Sequence, residues 1–221
     1  MKGYELTMAY WDQVFEKVRP YNPHEPIPQE LLENSLDWLA HDAKSVLDYG
    51  CGTGRVLLRL IHKGILRGVG IDLSREAIHL ANTVASEHGM QEHAFFINGG
   101  LRCLHELEPA SFEGAILFNI IDTMLPDDAC DLVKQIHRIL TYRGRVLLKL
   151  NAWQPREALD SNPCYEKLGP DLYREETGPY FWNISNETIE DLLTPYFFIE
   201  EIQRVHFPHH ETDNRLFYLL S

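Results

Sequence analysis

The chain has 221 residues, with 33 acidic side chains against 20 Lys and Arg and a formal net charge of −13 at neutral pH. That length fits one α/β domain with a real core and is too short for two full ones. The basic residues are scattered singly and form no face to meet phosphates, which argues against nucleic acid as a partner, and no apolar run reaches membrane-spanning length.

Residues 4–18 read as a helix with Trp11, Val14, Phe15 and Val18 on one stripe, closed by Arg19-Pro20 and a proline-rich connector. A second helix spans about 28–41, with Leu32, Ser35, Leu36 and Leu39 inward. The N-terminal segment 1–43 is thus expected to cover the ligand edge of a core formed by 44–221. Ser45-Val46-Leu47 is a strand that runs into Gly50-x-Gly52-x-Gly54, and a helix follows at once with Val56, Leu57, Leu60 and Ile61 on a face. Lys63-Gly64 ends that helix. The run 66–73 is a second strand, and Ser74 caps a helix with Ala77, Leu80, Ala81 and Val84 inward. Strands at 94–97, 112–121 and 145–150 follow. Asp127-Asp128 open a helix between the last two, with Leu132, Val133, Ile136, Ile139 and Leu140 inward. Strand–helix alternation predicts a parallel, doubly wound sheet with helices on both faces. The tail differs: a helix capped by Ser185 precedes two strand-like runs, 197–205 and 216–220, which read as an antiparallel pair.

Glycines at the carboxyl end of a strand let the chain turn and let a ligand lie against the backbone, at the edge where open α/β sheets bind ligands. The spacing departs from the G-x-G-x-x-G of dinucleotide sites. Asp72, at the end of the second strand, stands where such folds hold ribose hydroxyls. Four cysteines (51, 103, 130 and 164) without a CxxC, and an N-terminus lacking a signal peptide's apolar core, suggest reduced thiols in a cytoplasmic protein.

Val46-Leu47-Asp48-Tyr49-Gly50-Cys51-Gly52-Thr53-Gly54 resembles motif I of the class I S-adenosylmethionine (SAM)-dependent methyltransferases. The resemblance implies a Rossmann-like sheet of seven strands, the last inserted antiparallel between the fifth and sixth, and SAM as cofactor. It assigns Asp48, Tyr49, Gly50, Cys51, Gly52, Gly54, Asp72 and Leu73 to SAM, with Asp48 near its amino-acid end. Asp48 also reads as an acid orienting the glycine turn through backbone N–H groups. At the third strand end Gly100 stands in the place of the family's acid, so the adenine contact falls to Asn98, Gly99, Gly100 or backbone atoms. Asn119 is expected at the methionine end, and Asp122 is either a substrate contact or a helix-opening acid.

Residues 151–184 are rich in aromatics and leave the ligand edge, which suggests a substrate lid or an insertion with its own small core. Tyr10, Asp122, Asn151, Tyr180 and Trp182 are the candidate substrate contacts, with Trp11 assigned to core packing. His206, His209 and His210 lack framing acids or cysteines and read as a solvated loop, and no metal is expected. The expected activity is methyl transfer to a small-molecule acceptor. A non-catalytic SAM- or S-adenosylhomocysteine (SAH)-binding module and an aminopropyltransferase are the alternatives.

Overall fold

The computed structural model describes residues 3–207 and 213–221. Seven strands form one sheet in the order β3-β2-β1-β4-β5-β10-β9: β1 Ser45–Tyr49, β2 Arg67–Asp72, β3 Ala94–Asn98, β4 Phe112–Phe118, β5 Leu140–Leu150, β9 Phe198–Val205 and β10 Asn214–Leu220. The pairs β1–β2, β2–β3, β1–β4 and β4–β5 are parallel, whereas β10 runs antiparallel to both β5 and β9. The last strand is therefore inserted between β5 and β9, as the resemblance implies. Central β1 buries both faces, which is why its residues do not alternate apolar and polar, and it carries the buried Asp48 between Leu47 and Tyr49.

Helices cover both faces. On one, α2 (Glu30–Asp42) and α3 (Arg55–His62) bury Leu36, Leu39, Leu57 and Leu60 against Val46, Ile116 and Leu147. Leu58 of α3 turns toward Val84 and Ala85 of α4 (Arg75–Glu87). On the other face, α6 (Pro126–Ile139) and α8 (Asn186–Leu193) bury Leu132, Val133, Ile136, Ile189 and Leu193 against Leu47, Leu117 and Leu148. Proline in the first turn of α6, followed by Asp127 and Asp128, suits the unpaired N–H groups and positive pole at that end. A short helix, α5 (Leu101–His105), was not anticipated; five residues carry too little periodicity to be read. Strand β4 stops at Phe118, three residues early, because Asn119 takes a left-handed φ of 54° and Ile121–Thr123 form a 3-10 turn.

The N-terminal helices separate. Helix α2 packs on the sheet face rather than over the ligand edge, but α1 (Glu5–Phe15) does lie across that edge. Residues 151–184 form α7 (Arg156–Ser161) and a second, three-stranded antiparallel sheet, β6 (Tyr165–Gly169), β7 (Leu172–Glu175) and β8 (Tyr180–Trp182). Phe181 faces Leu159 and Tyr173 in the insertion's own small core, while Trp182 joins the main core. No helix among the described residues is long and apolar enough to cross a membrane, and all four cysteines are unpaired.

Candidate functional site

The β1–α3 turn is held almost entirely by backbone. Gly50, Gly52 and Gly54 have φ of 76°, 51° and 76°, a region other residues enter only with strain. The N–H groups of Gly50 and Cys51 both donate to the Ile71 carbonyl, at 2.8 and 3.1 Å. The Gly52 N–H donates to Asp72 Oδ2 at 2.7 Å, and the other carboxylate oxygen accepts from the Ser74 N–H at 2.8 Å. Asp72, not Asp48, therefore orients the glycine turn. Asp48 is buried and its carboxylate has no hydrogen-bond partner among the described residues; burial, reinforced by Asp72, pushes it up to about 8.

Above the turn lies a cavity of about 350 Å³, a size typical of small-ligand sites. Tyr49, Gly50, Gly52, Asp72 and Leu73 line one side, Gly99 and Gly100 another, and Asn119 a third. The structure thus brings together eight of the twelve residues assigned to SAM. Asp48, Cys51, Gly54 and Asn98 do not line the cavity. Cys51 is buried beneath the turn, and its Sγ lies 3.5 Å from the Gly52 carbonyl. A Cβ on Gly54 would stand 2.6 Å from the Phe96 ring, so that glycine serves packing. The Asn98 side-chain amide donates to the Asp72 and Leu73 carbonyls at 3.1 and 2.8 Å, which ties β3 to β2. Leu101 and Arg102 of α5 occupy the cavity wall that Asn98 was expected to supply.

Asn119 is fixed on three sides. Its N–H donates to the Lys149 carbonyl at 2.7 Å, its carbonyl accepts from Thr123 Oγ1 at 3.2 Å, and its side-chain oxygen accepts from Lys149 Nζ. Lys149 looked like an ordinary strand residue, yet it is buried, and burial brings its ammonium down to about 8 despite nearby Asp122.

None of the five candidate substrate contacts lines this cavity. Asp122 is buried in the 3-10 turn, where Oδ2 accepts from the Asn151 N–H at 2.6 Å; burial pushes its carboxyl up. Asn151 borders a second cavity. Tyr180 and Trp182 do point inward and Phe181 away, as strand alternation requires, but they act behind the wall. The Tyr180 hydroxyl donates to the Gly3 carbonyl at 3.0 Å and accepts from Arg174 at 2.6 Å. Tyr10 packs edge-on against Trp11, with ring centroids 5.1 Å apart, and lies outside the cavity.

The wall that sequence reading missed is α1. Tyr4, Thr7, Trp11 and Phe15 recur at helical spacing and line the cavity, so Trp11 and Phe15 of the predicted stripe border it, whereas Val14 and Val18 do not. Phe15 lies 3.3 Å from where a Cβ on Gly52 would be. The helix is docked by polar contacts. Asp12 Oδ1 accepts from Ser74 Oγ at 2.6 Å and from the Glu76 N–H at 3.3 Å, placing a carboxylate at the N-terminus of α4. Thr7 Oγ1 donates to the Gly178 carbonyl at 3.2 Å, and the Tyr4 hydroxyl donates to Asp128 Oδ2 at 2.7 Å while accepting from the Leu125 N–H at 3.0 Å. Burial, with Asp128 adding to it, holds the Tyr4 hydroxyl well above its ordinary range, so it remains a donor. A short helix with Tyr, Thr, Trp and Phe in one stripe is the signal that could have found this wall.

Among the described residues no group of three or more His, Cys, Asp or Glu could hold a metal. His206 is exposed and pairs with Asp213 at 3.0 Å; His209 and His210 lie outside the described residues.

Residues 46–144 match the model of a methyltransferase domain family. The chain is 28% identical over 171 residues to EEF1A lysine methyltransferase 2 of Homo sapiens, covering 70% of this chain and 71% of that protein. Its structure resembles the PH0226 protein of Pyrococcus horikoshii OT3 (TM-score 0.69, 24% identity, 86% and 88% of the two chains). It also resembles the 1,6-didemethyltoxoflavin-N1-methyltransferase of Burkholderia thailandensis, solved with 1,6-didemethyltoxoflavin and SAH (TM-score 0.65, 20% identity, 88% and 79%). The left-handed glycine turn, the carboxylate hydrogen-bonded to it and a cavity of matching size fit SAM. Over 46–144 the chain carries a methyltransferase domain, set in a seven-stranded sheet whose inserted antiparallel strand gives it the Rossmann-like fold of its methyltransferase neighbours.

Proposed function

We propose that this enzyme methylates a small-molecule acceptor held between the glycine turn and α1. The observation that carries the reading is the lining of the cavity by Tyr4, Thr7, Trp11 and Phe15, which sets aromatic rings beside the space above the glycine turn. The acidic chain, without a basic face, supports the same reading.

In this reading Asp72 accepts hydrogen bonds from the ribose hydroxyls, in exchange for or alongside the Gly52 N–H. Gly50 and Gly52 let the cofactor lie on bare backbone. Leu73, Gly99, Gly100 and Leu101 enclose the base, and Asn119, immobilised by Lys149, meets the methionine end. Bound SAM supplies a methyl group made strongly electrophilic by its sulfonium. The chain's own contribution is positioning and the exclusion of water. Asp128, which lines the cavity and is anchored by Tyr4, is the carboxylate available to orient an acceptor N–H or O–H.

A protein lysine is the second reading, favoured by the similarity to EEF1A lysine methyltransferase 2. One experiment separates the two. The enzyme is incubated with methyl-labelled SAM and, in parallel, with the low-molecular-weight filtrate and the retained protein of a cell extract. Label in the filtrate is the expected result; label confined to protein would replace the small-molecule reading with the lysine one.

A further inference from the structure

A second cavity, of about 360 Å³, lies between the carboxyl end of β5, α7 and the three-stranded sheet of the insertion. Its lining is mostly polar: Asn151, Gln154, Asn162, Glu175 and Asn214, with the rings of Tyr165 and Phe181 on one side. Asn214 is only 5% exposed, and its side-chain amide has no partner among the described residues. That amide lines the cavity, where it is free to pair with a bound group. The Asn151 amide is likewise unpaired within the described structure, and Glu175 has only a long contact, 3.4 Å, from Thr177 Oγ1.

The cavity wall is held rigidly. The Gln154 backbone is clamped by the buried Asn183, which accepts from its N–H at 2.9 Å and donates to its carbonyl at 2.8 Å. The Asn151 N–H is anchored on Asp122 at 2.6 Å. These contacts set the positions of acceptor groups before any ligand arrives.

Among the described residues no lysine or arginine lines the cavity. Its formal charge comes from Glu175, so an anion would be repelled. A primary ammonium carries three N–H donors. The Glu175 carboxylate and the side-chain oxygens of Asn151 and Asn214 supply three acceptors, and the Tyr165 and Phe181 rings suit the adjoining methylenes and the positive charge. We infer that this cavity is a binding site for a small molecule carrying a primary ammonium group. The inference is independent of methyl transfer.

The test uses the whole protein and n-butylammonium as probe, followed by NMR titration and calorimetry, with butyrate and tetramethylammonium as controls. The expected result is saturable binding of n-butylammonium, no binding of butyrate and weak binding of tetramethylammonium, which has no N–H. Glu175→Gln and, separately, Asn214→Ala should each weaken n-butylammonium about tenfold or more, the scale of a charge-assisted hydrogen bond, without changing SAH affinity. If one variant fails to fold, the other decides the outcome. Absent or unsaturable binding to the wild type, equal binding of butyrate, or unchanged affinity in the folded variants would overturn the inference. Because SAH binding is read in the same samples, that failure is distinguishable from failure of the methyltransferase reading.

Discussion

The two walls of the cavity above the glycine turn are built by different means. The glycine turn is backbone bonded to backbone and to a single carboxylate: Gly50 and Cys51 on Ile71, Gly52 on Asp72. Its shape follows from three left-handed residues, and the sheet beneath it is buried on both faces. Helix α1 is attached by side chains reaching to distant parts of the chain. Asp12 meets α4, Tyr4 meets Asp128, and Thr7 meets Gly178, 171 residues away. It has no side-chain cap at its N-terminus, and Thr7 is its one buried residue. An 11-residue helix is marginal alone in water, so its order depends on that docking. The turn is the preformed half of the site, and the helix is the half whose stability can be tuned or lost.

The largest effect is expected in the turn. Gly52→Val combines a left-handed φ with a branched side chain directed at Phe15. It should reduce SAM binding beyond detection by calorimetry while the melting curve stays cooperative; unchanged affinity would remove the turn from the binding site. Asp72→Ala comes next. It removes the acceptor proposed for the two ribose hydroxyls and frees the Gly52 and Ser74 N–H groups as well. A loss of about 2–4 kcal/mol, roughly 30- to 1,000-fold, is expected for SAM, SAH and methylthioadenosine alike, since all three keep the ribose. If methylthioadenosine binds the variant as well as the wild type, Asp72 serves only the turn.

Asp48 yields a pH signature of the same wall. Its folded value, about 8, lies above the unfolded one near 3.8, so between these the native state holds a proton that the unfolded chain has released. Stability from this group is full below pH 4 and declines as pH rises through about 8. Asp48→Asn should flatten that decline in denaturant titrations of the free enzyme and raise the melting temperature at pH 8 relative to wild type; a parallel pH profile would contradict the assignment. The smallest effect belongs to the helix. Asp12→Ala should cost about 1 kcal/mol of docking, by the scale of helix N-terminal carboxylates, and speed SAH release several-fold in stopped-flow measurements. Equal release rates would show that α1 is held without that contact.

The contrast also explains what the sequence disclosed. The turn was legible because its information is local: glycine spacing, a strand before it, a capped helix after it, and an acid at the next strand end. The sheet order with β10 inserted came from resemblance, and it holds. The cover was misread because its information is long-range. Trp11 and Phe15 form an apolar stripe whether they meet a sheet or a ligand, and periodicity does not distinguish the two. Asp12 and Tyr4 look like surface residues until α4 and α6 are beside them. The insertion 151–184 reads from the sequence as a substrate lid carrying Tyr180 and Trp182 or as an insertion with its own small core, and Leu159, Tyr173 and Phe181 form such a core. Its sheet stands behind α1 and fastens the N-terminal segment, Gly178 accepting from Thr7 and Tyr180 donating to Gly3. Lys149 was hidden in an apolar strand because its partner, Asn119, lies 30 residues away on the neighbouring strand end.

Hydrogen–deuterium exchange with and without saturating SAH tests the central claim that the cofactor lies between a preformed turn and a docked helix. Residues 49–55, 72–74 and 99–102 should gain modest protection from an already slow baseline. Helix α1, Glu5–Phe15, should change from rapid to strongly protected exchange, the largest difference in the chain. SAH binding that protects the turn but leaves α1 exchanging as it does in the free enzyme would contradict the account.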